Sequence, residues 1–126
     1  MLVKQSQRVK ANEIGNKLLD YLRNSVKPKG DNTIYNLNLT YWTDSVRKIQ
    51  LTEKQIYHKR GVFSGYRVKK EKTISNKNVC TIYTNYYDDH QITFKVSIRV
   101  YDKRFLNAII EYGKKYDVDE IIDDTE

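Results

Sequence analysis

The sequence predicts an α+β fold: a small antiparallel β-sheet of about four strands, covered on one face by an N-terminal and a C-terminal helix. Apolar residues recur at helical steps near both ends of the chain, over about 5–26 and about 103–116. Between them, residues 79–101 alternate apolar and polar in two runs, the pattern of a strong β-hairpin. Runs of strands flanked by helices satisfy burial best as a sheet with helices on one side.

In the first helix, Ala11, Ile14, Leu18, Leu22 and Val26 form the inner stripe, widened by Leu19 and Tyr21. Pro28 stops the pattern, and 29–32 reads as a turn. Residues 33–43 alternate, with Tyr35, Leu37, Leu39 and Tyr41 on one face and Asn36, Asn38 and Thr40 on the other. A turn at 43–45 leads to a shorter strand, 46–51.

Residues 52–77 read two ways. Thr52 and Gln55 have capping-box spacing, which favours a short helix to Arg60 closed by Gly61, then a strand. The competing reading is a long basic hairpin with bends at Gly61 and Gly65. The first is preferred, with 75–78 as the next turn. In the 79–101 hairpin, a loop at 88–90 pairs Ile82 with Val96 and Cys80 with Ile98. The outer face then presents Thr81, Tyr83, Lys95 and Arg99. Asp102 is positioned to cap the last helix, whose inner stripe is Leu106, Ile109, Ile110 and Gly113.

The 126 residues suit one domain. Leu, Ile, Val and Phe make up about a quarter of the chain, enough for a core. The domain is expected over 1–116, with 117–126 an acidic tail of six acids and no base, in which Ile121 and Ile122 can dock a last turn and the acids after them are mobile. The net charge of +7 therefore hides a strongly basic body. Within it, residues 54–77 hold eight bases against one acid, Glu71. Such a field attracts polyanions, and the acidic tail can compete for it.

No run approaches the length of a membrane span, and the first residues turn polar at once. A single cysteine, Cys80, makes no internal disulfide and fits a cytoplasmic protein. Cys80 reads as a small buried hydrophobe. Lys, Asn, Ile and Tyr are abundant, which points to an AT-rich genome such as that of a phage or another mobile element.

Catalytic chemistry is thin. Two histidines, His58 and His90, lie far apart, and no nucleophile elbow, phosphate loop or zinc signature occurs. Asp88, Asp89 and His90 read as a turn before they read as a metal site. The expectation is a non-enzyme without cofactor or metal. Only a nuclease assembled from distant acids stays open.

Bases and aromatics together point to nucleic acid, DNA or RNA, or to a host nucleoprotein. The expected contacts are Lys54, Lys59, Arg60, Tyr66, Arg67, Lys69, Lys70 and Lys72, with Tyr83, Lys95 and Arg99 added from the hairpin face. Two other classes compete. One is an inhibitor or adaptor of a host protein or nuclease complex, of anti-restriction or anti-CRISPR type. The other is a virion assembly subunit. A homodimer is left open.

Overall fold

The computed structural model describes residues 3–60, 67–88, 92–116 and 118–126. In chain order these form α1 (Val3–Ser25), β1 (Thr33–Thr43), β2 (Val46–Arg60), β3 (Arg67–Asp88), β4 (Ile92–Val100), α2 (Lys103–Lys115) and β5 (Glu120–Asp123). The sheet order is β1-β2-β3-β4-β5, antiparallel except for the parallel β4–β5 pair.

Apolar spacing decides where the core sits. Leu18, Leu19 and Leu22 of α1 and Phe105, Ile109 and Tyr112 of α2 bury into one cluster. The sheet's share of it is Leu37, Ile49, Leu51, Val79, Cys80, Ile82, Val96, Ile98 and Val100. Tyr35 meets Phe105 of α2, with ring centroids 6.1 Å apart. On the same face of β1, Leu39 meets α1 where a Cβ on Gly15 would come within 2.9 Å of its methyls. Both helices thus reach the same face of β1. Gly30, at φ +92°, makes the turn after α1.

The capping of α2 is as its sequence suggests. The Asp102 carboxylate accepts the backbone N–H of Arg104 at 2.9 Å and pairs with its guanidinium at 2.8 Å. Arg104 reaches on to Glu53 at 2.7 Å, tying α2 to β2. The buried stripe differs from the expected one: Phe105, Ile109 and Tyr112 go inside, Leu106 packs only partly, and Ile110 stays outside the cluster. Two aromatic rings offer more apolar area than the residues they displace.

Residues 52–60 form no helix. β2 continues through them, and the Thr52 hydroxyl donates across the ladder to Asn76 at 2.7 Å instead of capping. A helix of that length would be marginal on its own. Extending a strand already hydrogen-bonded to β3 satisfies the same backbone groups. Residues 75–78 likewise form no turn. β3 runs through them and absorbs the turn-prone composition as two register shifts, with Ile74 and Val79 the extra residues. Gly61, Gly65, Asp89 and His90 lie outside the described residues.

The β3–β4 register differs from the expected one by two residues: Ile82 faces Ile98 and Cys80 faces Val100. A shift of two keeps every side chain on its face, so the apolar and polar sides stand as predicted.

The acids after residue 117 are not a free tail. Asp119 accepts the backbone N–H of Val96 at 2.7 Å, and Asp124 N–H donates to the Val100 carbonyl at 2.9 Å. Glu120–Asp123 forms β5 along the β4 edge, and Ile121 packs on the core. The unpaired edge of β4 and two isoleucines outweigh the solvation of the neighbouring acids.

Candidate nucleic-acid interface

The basic segment becomes a projecting arm. β1 pairs with β2 no further than Gln55, and β4 pairs with β3 only from Cys80 onward. From Ile56 to Arg60, paired with Arg67 to Glu71, the hairpin is a two-stranded ribbon with no third strand. Five residues of extended chain give it a length of about 17 Å. Its residues are exposed, except for partly buried Ile56 at the base.

Lys59, Arg60, Arg67 and Lys69 crowd the outer end, with Lys70 and Lys72 behind them. None of these six has a side-chain hydrogen bond or ion pair among the described residues. Lys54 lies at the base, 3.9 Å from Glu71. Tyr66 lies outside the described residues.

Tyr83, Lys95 and Arg99 do share the outer sheet face, with Thr81 opposite Arg99 and Tyr83 opposite Ser97. They are not gathered with the arm. Twelve residues of β3 lie between Lys70 and Tyr83, roughly 40 Å of extended chain. Two of the three are also partly neutralised. Lys95 sits 3.9 Å from Glu120 and Arg99 sits 3.8 Å from Asp124. Burial raises the Tyr83 hydroxyl pKa, and Tyr101 adds to the rise. The C-terminal acids therefore oppose the β4 bases and leave the arm alone.

Tyr57 and Trp42 are exposed aromatics that were not among the contacts expected from sequence. Tyr57 lies on the arm opposite Lys70, and its ring is 46 % exposed. Trp42 is 61 % exposed at the far end of β1, with the Lys48 ammonium 4.0 Å above its ring. Parity carried the signal for Trp42: it falls with Asn36, Asn38 and Thr40, away from the apolar face of β1.

That outer face is polar and self-satisfied. Thr40 donates to Gln50 at 3.2 Å, and Gln50 donates to Asn78 at 3.1 Å. Asn38, Gln50, Thr52, Asn76 and Asn78 line a shallow groove of about 290 Å³ there.

Other charged features serve the fold. Arg47 is buried; burial lowers its pKa, and it donates to the Asn12 side chain at 2.9 Å and to the Thr43 and Val46 carbonyls. It fastens α1 to the β1–β2 turn, where Arg8 also pairs with Asp44 at 3.0 Å. The Cys80 thiol is fully buried, and burial pushes its pKa up to about 12. Such a thiol holds almost no thiolate and is a poor nucleophile. No group of three or more His, Cys, Asp or Glu placed to hold a metal occurs among the described residues. No described helix is long and apolar enough to cross a membrane.

No family model, curated protein or solved structure matches the chain.

Proposed function

We propose that the protein is a non-enzymatic nucleic-acid-binding module that grips phosphates with the β2–β3 arm. One observation carries this reading: among the described residues, five bases without ion-pair partners stand on an exposed ribbon with Lys72 at its base, and the acid of the ribbon, Glu71, lies 3.9 Å from Lys54. Lys59, Arg60, Arg67, Lys69, Lys70 and Lys72 are the anchors. Tyr57 adds an exposed aromatic ring opposite Lys70. Lys95, Arg99 and Tyr83 are secondary, since acids of the C-terminal segment offset the first two.

The test is binding to generic oligonucleotides across a salt series. Six phosphate contacts give a log–log slope of about −5, at roughly 0.9 per phosphate. Charge reversal at Lys69 and Lys70 flattens that slope. A protein that binds no oligonucleotide at low salt is not a nucleic-acid-binding module.

A second reading is favoured by the free edge of β3. From residue 67 to residue 78 this strand is paired on one side only. Its unpaired backbone groups can take an extended acidic segment of a host protein, as an inhibitor or adaptor would. The bland account of the same lysines is that they keep other strands away. Stoichiometric capture of an acidic partner, with no oligonucleotide bound, selects the second reading.

A further inference from the structure

We infer that the arm enters the major groove of B-form duplex DNA, with phosphates on both of its faces. The inference rests on the nucleic-acid reading and narrows its substrate.

Antiparallel partners share a face of the ribbon. Gln55 with Lys72, Tyr57 with Lys70 and Lys59 with Val68 lie on one. Ile56 with Glu71, His58 with Lys69 and Arg60 with Arg67 lie on the other. Each face therefore carries unengaged bases: Lys59 and Lys70 on the first, with Lys72 just behind them where β1 still pairs with β2, and Arg60, Arg67 and Lys69 on the second. A ribbon that lay along one single strand would need bases on one face only. One that rested on a protein would keep an apolar face. This ribbon has bases on both faces, and its exposed apolar residues, Tyr57 and Val68, stand among lysines on the first.

Arg60 directly opposite Arg67 points the same way. Like charges facing each other destabilise a free ribbon. Anions close on both sides turn that cost into attraction.

Groove dimensions choose the duplex. A ribbon standing edge-on, its side chains spanning about 10 Å from face to face, matches the roughly 12 Å major groove of B-DNA and exceeds its roughly 6 Å minor groove. The major groove of A-form RNA is too deep and narrow to admit it. In the B-DNA groove the two faces of the ribbon look toward the two phosphate rows.

The test uses the full chain and three labelled probes: a short DNA duplex, an RNA duplex of the same sequence, and the single DNA strand. The expected result is that the DNA duplex binds tightest, by roughly an order of magnitude. Replacing Lys59, Lys70 and Lys72 together by Gln lowers its salt slope by about 2.7, and so does replacing Arg60, Arg67 and Lys69 by Gln. Lys59, Lys70 and Lys72 changed to Arg keep the slope, which separates lost charge from lost fold. A major-groove dye such as methyl green displaces the protein, and a minor-groove ligand such as netropsin leaves it bound.

Steep binding that is equal for all three probes overturns this inference and leaves the nucleic-acid reading standing. A slope that responds to one face only, or displacement by netropsin, overturns it as well. No binding to any probe ends both.

Discussion

Along β2 and β3 one antiparallel ladder runs from a dry end to a wet one. At the dry end Ile49, Leu51, Val79, Cys80 and Ile82 are fully buried against two helices. At the wet end Tyr57 and Val68 are 46 % and 39 % exposed, among lysines and arginines. Backbone pairing is the same at both ends; what changes is what the side chains meet. The body holds register because a slip there would turn apolar side chains outward. The arm buries too little to hold register alone and inherits it from the body. Stability and charge are thus separated along a single hairpin.

That separation can be broken from either end. Ile49→Ala cuts into the body, and large-to-small core changes of this kind cost about 3 kcal/mol. Urea unfolding should show that loss, while the folded fraction keeps the salt slope of the unaltered arm. A slope that falls with it would mean that the arm's shape depends on core packing.

Asp102→Ala removes the cap of α2 and one carboxylate of the Arg104 network, at a cost of about 1–2 kcal/mol. Burial alone would raise the Asp102 carboxyl, but hydrogen bonds and charge from Arg104 outweigh it and hold the group below its ordinary value. The folded form thus binds that proton less readily than the unfolded form. The resulting stability is full above the usual carboxylate range near ~4 and fades as pH falls through it. Urea midpoints over a pH series should show a shallower acid limb in the variant.

Shortening the arm probes the other end. Joining Ile56 to Glu71 through Asn-Gly, in place of residues 57–70, keeps a hairpin with a favoured two-residue turn. The described residues removed are exposed, and stability should change by less than about 1 kcal/mol. Oligonucleotide binding should disappear. Retained binding would move the interface to the outer sheet face around Trp42, Tyr83 and Arg99.

The smallest effect concerns Cys80. With its thiol buried and its pKa pushed up to about 12, a thiol reagent at neutral pH should label it only as fast as the body opens. The shortened chain should label at the same slow rate. Faster labelling would show that the arm does protect the body.

Short-range patterns are legible in the chain itself. The stripe of Leu18 and Leu22, the alternation through Leu37 and Leu39 and the cap at Asp102 each depend on neighbours a few residues away. The concentration of bases at 54–72 is equally plain. Thr52 and Gln55 mislead, because their capping-box spacing is real but is overruled by a ladder to β3. Tyr57 stands beside His58, Lys59 and Arg60 in the sequence, but its place as an exposed ring depends on the extension of β2 past its last contact with β1.

The types of α1, β1, β4 and α2, the faces of those strands and the basic charge of the body follow from the sequence by itself, because periodicity and capping are short-range. Only the tertiary structure decided the two-residue register shift between β3 and β4, the extension of β2 into an arm and the parallel pairing of β5. It also decided which acids meet which bases: Glu120 and Asp124 approach Lys95 and Arg99, far from Lys69 and Lys70. Those outcomes depend on burial and charge between residues distant in the chain, and a local pattern carries no information about such distances.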